Sequence, residues 1–309
     1  MDTASRRPSE ERARRRRSQR DLSSATRRPA GIRPKRPRLI PASARSFGAL
    51  AAAGFRRHST YRQATVAATF TNSVFGFLRC YVLLAAVAGT GVGVAAGYDA
   101  PRVATYCWAS QGLIGVIFLW GWTDLADRIR SGDVVADLLR PVHPVTAYLA
   151  ADIGRAGHAA LTRFVVPIAV GAIFFDLYVP ARPHTYPLFV VSVALAVVVS
   201  FGFRYVVNSA AYWLLDVRGV NMLWAFATTV FAGLAFPLHF LPSWLVWPIW
   251  IATPFPSILQ APLDVLVERS PPAQLVGIVA GQAAWAVVML GLGRYVQRRA
   301  EAKLVIQGG

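Results

Sequence analysis

The chain has 309 residues, of which 55% are hydrophobic and 16% charged, and its mean hydropathy is +0.42. Apolar runs of about twenty residues recur after residue 60, long enough to cross a ~30 Å hydrocarbon layer as helices, which excludes an ordinary soluble domain. The net charge of +18 does not describe the body either, because residues 1–62 hold 18 of the 33 basic and 4 of the 15 acidic residues and so account for +14 of it.

In chain order, residues 1–60 form a basic arm with Arg14–Arg17 consecutive, Arg27-Arg28, and a cluster from Arg33 to Arg38. It is rich in Ser, Pro and Ala and poor in large apolar residues, the composition of a disordered cytoplasmic segment. It lacks an apolar stretch behind its charges and so does not read as a cleaved signal. Residues 61–309 are expected to form one six-helix membrane domain. The first span runs from about Ala64 to Val87 and contains Arg79, which either snorkels to the interface or faces a partner helix. The second runs from Val103 to Trp122, with Trp120 and Trp122 at its end.

The polar stretch 124–140, DLADRIRSGDVVADLLR, follows. Ser131-Gly132-Asp133 breaks it into two short helices, with Gly132 stopping the first and Asp133 capping the second, and Pro141 and Pro144 end it. A third span covers Ala159–Phe175, and Asp152, Arg155, His158 and Arg163 before and within it suit the cytoplasmic interface. The fourth and fifth spans cover Leu188–Val207 and Val220–Phe236. Six prolines and three tryptophans mark 237–263 as helices lying at, or dipping into, the outer interface. The sixth span covers Gln274–Leu292. Basic residues at the span ends place both termini, and segment 124–140, in the cytoplasm, leaving Arg102, Arg182 and Arg269 outside.

Several chemistries lack their residues. No G-x-x-x-x-G-K-[ST] loop is present and the only lysines are Lys35 and Lys303, so ATP hydrolysis by this chain is not expected. There is no H-E-x-x-H, no G-x-S-x-G and no pair of mid-span aspartates. Cys80 and Cys107, and the scattered His143, His158, His184 and His239, have no metal-ligand spacing. No cofactor or metal is expected. The spans after the first read as nearly free of charge and without an internal repeat, which weakens a self-contained ion-coupled carrier.

The stretch 128–142, RIRSGDVVADLLRPV, resembles the cytoplasmic signature of bacterial ABC-2 type transporter permeases. GYDAPRVATY at 97–106, PLDVL at 262–266 and the ending VIQGG at 305–309 are similar to the same family, while the Arg-rich arm is not part of its core. The resemblance implies a multi-pass permease in a bacterial inner membrane, outward transport, a separate cytoplasmic ATP-binding cassette ATPase, and a second permease subunit, identical or related. A compact amphipathic helix pair held between spans two and three suits a groove on such an ATPase, and Ile129, Arg130, Gly132, Asp133, Leu139 and Arg140 are expected to form that coupling surface. The bland reading of that segment is a connector lying on headgroups. Two further readings stay open: a self-contained secondary transporter, and an assembly or anchoring subunit whose arm binds anionic lipid, with no specific nucleic acid expected. The Trp-containing apolar spans are compatible with an amphiphilic cargo, but also with plain lipid-facing helices.

Overall fold

The computed structural model describes residues 42–59, 62–214 and 216–303. Helices dominate throughout: α1 (Ala42–Ser59), α2 (Arg62–Ala88), α3 (Ala100–Leu113, continued by a π turn, Ile114–Phe118), α4 (Asp124–Ser131), α5 (Val134–Leu138), α6 (Pro144–Ala159) and α7 (Val165–Phe174). After these come α8 (Thr185–Ser209), α9 (Arg218–Phe231), α10 (Ser243–Ala252), α11 (Gln260–Leu266) and α12 (Pro272–Glu301). No strand occurs among the described residues; the backbone pairing of Ala95 with Tyr98 is an isolated bridge.

Among the described residues four helical stretches are long and apolar enough to cross a membrane: Phe70–Ala88, Pro144–Phe174, Thr185–Tyr212 and Pro272–Glu301. The second of these joins α6 and α7 through a π turn, Ala160–Phe164, and its 31 residues reach about 46 Å at 1.5 Å per residue. The expected second and fifth spans are shorter. Helix α9 has 14 residues, about 21 Å of rise, and α3 with its π turn stops at Phe118, whose φ is +59°.

The start of α3 follows from its sequence. Asp99 caps it by accepting from the Arg102 amide at 3.0 Å, and Pro101 sits in the first turn, where its missing N–H costs nothing. Packing in the bundle uses small residues. Trp108 is fully buried against Gly76 of α2 and Gly171 of α7, and a Cβ at Gly171 would meet the indole at 2.4 Å. Absent side chains of this kind let helices approach closely where lipid offers no hydrophobic drive between them.

Three sequence expectations change. The helix that carries the third span begins at Pro144, so Asp152 and Arg155 are inside it and buried against neighbouring helices. The spans are also not nearly uncharged: Asp152 binds Arg155 at 2.7 Å and Arg204 of α8 at 2.8 Å. Asp152 and Arg155 are three residues apart on α6, but Arg204 joins them only when α8 packs against α6, which one-dimensional reading does not show. Residues 42–59, read as the end of the arm, are helix α1, and the compact unit that contains the bundle begins at Ala42. Helix α1 lies against α6 so closely that a Cβ on Gly54 would meet the Ala151 carbonyl oxygen at 2.2 Å, and one on Gly154 the Ala51 oxygen at 1.8 Å. The disorder expected for residues 1–41 lies outside the described residues, as does the VIQGG ending.

Arg79 faces neighbouring segments of the bundle. Its Nη1 donates to Ser110 Oγ of α3 and its Nε to the Ala235 carbonyl at 3.3 Å.

Candidate functional site

Segment 124–140 folds as the two short helices α4 and α5. The break is at Gly132, whose φ of +84° is the left-handed conformation that ends a helix and that glycine adopts without a Cβ penalty. Asp133 begins α5, but its carboxylate caps no amide of that helix. It accepts instead from Ser131 Oγ at 2.9 Å, closing the turn on itself.

What fixes the pair is Asp137, only 6% exposed although its helix stands at the end of the bundle. Its Oδ2 accepts from Arg128 Nε of α4 at 2.6 Å and from the Tyr148 hydroxyl of α6 at 2.9 Å, and Arg140 lies 3.5 Å from its other oxygen. Arg128 also donates to the Asp133 carbonyl at 3.0 Å. Hydrogen bonding to Asp137 raises the Arg128 pKa further above its ordinary value, so the guanidinium stays charged. Burying a carboxylate is costly unless it is hydrogen-bonded and paired, and Asp137 is both.

Apolar contacts complete the anchor. Leu125 and Val134 are buried with Val145 of α6 and with Phe201 and Tyr205 of α8. Asn208 of α8 binds the Trp122 carbonyl at 2.9 Å just before α4. A rigid displacement of α4 and α5 therefore has to move α6 and α8.

Of the six residues assigned to a coupling surface, Arg130, Gly132, Asp133, Leu139 and Arg140 are exposed, Leu139 by 82%. Ile129 is half-buried and turned to the cluster of Leu125 and Val134. Sequence reasoning missed Asp137, Arg128 and Tyr148. The legible signal was an aspartate interrupting the apolar run VVADLL, with arginines on both sides.

Behind this element, the C-terminal end of α3 supplies a second polar cluster. Its last carbonyls have no helical partner, and guanidinium groups take their place: Arg155 donates to the Gly115 and Val116 oxygens at 2.8 and 2.9 Å, and Arg204 approaches the Ile117 oxygen at 3.5 Å. Asp152 neutralises one of the two positive charges, and the negative end of the α3 dipole favours the other. The Phe118 ring lies under both guanidiniums, at 4.7 and 5.3 Å. The indole of Trp224 on α9 caps the Leu119 carbonyl at 3.0 Å. This cluster joins α3, α6, α8 and α9.

Among the described residues no group of histidine, cysteine or acidic side chains has metal-site geometry, and Cys80 and Cys107 are free and buried.

A family model described as ABC-2 family transporter protein matches residues 74–308, most of the chain including α4 and α5. The chain belongs to this family. No curated protein and no solved structure gives a significant match. An ABC-2 permease is the membrane component of an ABC transporter, whose ATPase activity resides in other subunits. In this permease the match begins at Val74, so α1 and the arm lie outside it.

Proposed function

We propose that this permease crosses a bacterial inner membrane six times with both termini in the cytoplasm, and that α4 and α5 couple it to a separate cytoplasmic ATP-binding cassette ATPase. On this reading α3 with its π turn and α9 complete the six spans, their short lengths offset by neighbours that cap their ends. A second permease subunit, identical or related, completes the pathway, and transport runs outward. The observation that carries the proposal is the pinning of α4 and α5 by Asp137 and by the buried contacts of Leu125 and Val134. A flexible connector on lipid headgroups has no need of a buried carboxylate. A lever has, because it must pass the closure of an ATPase to α6 and α8 without yielding.

The buried Asp152 raises the question of a self-contained ion-coupled carrier, since membrane carboxylates often mark ion pathways. Here both carboxylate oxygens are occupied by guanidinium groups that also cap a helix end, which supports a structural role.

The test is reconstitution with the ATPase. Gly132→Pro, which forbids the positive φ, and Arg140→Glu should each leave membrane insertion intact and uncouple ATP hydrolysis from transport. Unchanged transport in both variants would count against the assignment.

A further inference from the structure

A cavity of about 820 Å³ lies between α10 and the first half of α12, within the ~300–1,000 Å³ range of small-molecule sites. Its walls are mainly apolar, with Trp247 and Trp250 from α10 and Trp285 and Ile278 from α12, and Ser243, Ser257 and Gln274 add polar atoms. The space exists because α12 presents Gly277 and Gly281 to it, four residues apart and hence on one face. A Cβ at either position meets nothing within 4 Å.

Arg269, half-buried, forms part of the wall. Its Nε donates to the Ala96 carbonyl at 3.2 Å and its guanidinium lies 5.6 Å from the centre of the Tyr98 ring. Among the described residues no carboxylate lies within 4.0 Å of it. The two nearest acids in sequence are engaged elsewhere: Glu268 accepts from Tyr178, Thr185 and the Arg182 amide, and Asp264 from Tyr98 and Gln260, with His239 at 3.0 Å. A partly desolvated guanidinium without a counter-ion, beside an aromatic apolar space, is matched by a ligand with an acidic head and an apolar tail.

We infer that this cavity binds a single acidic amphiphile, its tail between the tryptophans and the glycine face of α12 and its carboxylate or phosphate head on Arg269. The inference rests on the membrane placement proposed above, with this end of the bundle on the outer side, and is independent of ATPase coupling. Moving a tail from lipid into the cavity gains little, since one apolar medium replaces another. Selectivity therefore comes from the head.

The experiment is photo-labelling of the full chain, in nanodiscs of phosphatidylcholine, with a diazirine-bearing fatty acid and a diazirine-bearing lysophosphatidate, followed by peptide mapping. Label is expected on α10 and the first half of α12. Unlabelled fatty acid or lysophosphatidate should compete, the stronger of the two naming the head, and lysophosphatidylcholine should not. Arg269→Gln should weaken acidic-probe labelling roughly tenfold, the loss of about one charge-assisted contact. Gly281→Leu should abolish labelling without lowering the melting temperature, because its side chain enters open space. Undiminished labelling of Arg269→Gln, equal competition by the zwitterionic lipid, or label mapping elsewhere would overturn the inference. ATPase recovery with Arg269→Gln should be unchanged, so failure here is distinguishable from failure of the coupling proposal.

Discussion

Asp152 pairs with two buried guanidiniums, neutralising one of their charges, and those guanidiniums in turn cap α3. Asp152→Ala leaves those charges uncompensated, and breaking a buried pair in this way costs about 3–5 kcal/mol. A clear fall in the melting temperature of the detergent-purified chain is expected. By contrast Arg57→Ala, which removes a pair with Asp124 whose partners are 71% and 50% exposed, should change stability by less than about 1 kcal/mol. Equal effects of the two substitutions would show that the buried cluster does not act as described.

Glu268 gives a pH-dependent counterpart at the other end of α3. Burial works to raise its pKa, but hydrogen bonds from Thr185, Tyr178 and the Arg182 and Ala181 amides outweigh it and hold the carboxyl below the ordinary range. A folded-state pKa below the unfolded value means that the stabilisation is complete above the unfolded value, about 4.3, and is lost as pH falls through the folded one. Thermal melts between neutral and acid pH should show that loss in the parent chain. A smaller loss is expected in Glu268→Gln, which should already be less stable at neutral pH.

Among the elements, the joint between α4 and α5 is legible in the sequence, because Ser-Gly-Asp between two short amphipathic runs has one economical backbone solution, a left-handed glycine. Which residues anchor the pair is not. Asp137 looks like a surface aspartate until Arg128, Tyr148 and Arg140 converge on it, and that convergence depends on the placement of α6. The same limit explains Asp152 and Arg204, and it explains α1. The small residues Ala51, Ala52, Ala53 and Gly54 look like part of a disordered arm, yet Ala51 and Gly54 are where α1 touches α6. Gly154→Leu should displace α1, since even a Cβ there would lie 1.8 Å from the Ala51 oxygen. Protease cleavage between residues 42 and 59 should then become faster, and unchanged cleavage would mean that α1 is held by other contacts.

For the molecule as a whole, helical class and membrane character are plain from apolar run length, while the extent of each span is not. Hydropathy cannot see that α3 ends at Phe118 or that α6 begins before its charged residues. The arm divides accordingly. Removing residues 1–41 should leave insertion and stability unchanged, whereas removing residues 1–59 strips α1 from α6 and should lower the melting temperature of the inserted protein.

The coupling of this permease to a separate ATPase is tested most directly by affinity purification of the tagged chain from its native membranes in mild detergent, with mass spectrometry of what accompanies it. A phosphate-loop ATPase is expected, together with any second permease, and should be lost when Leu139 and Arg140 are changed to Asp and Glu while the chain remains inserted. If no such ATPase is recovered under conditions that keep a known transporter complex intact, or if it persists undiminished with the double variant, the coupling role of α4 and α5 is contradicted.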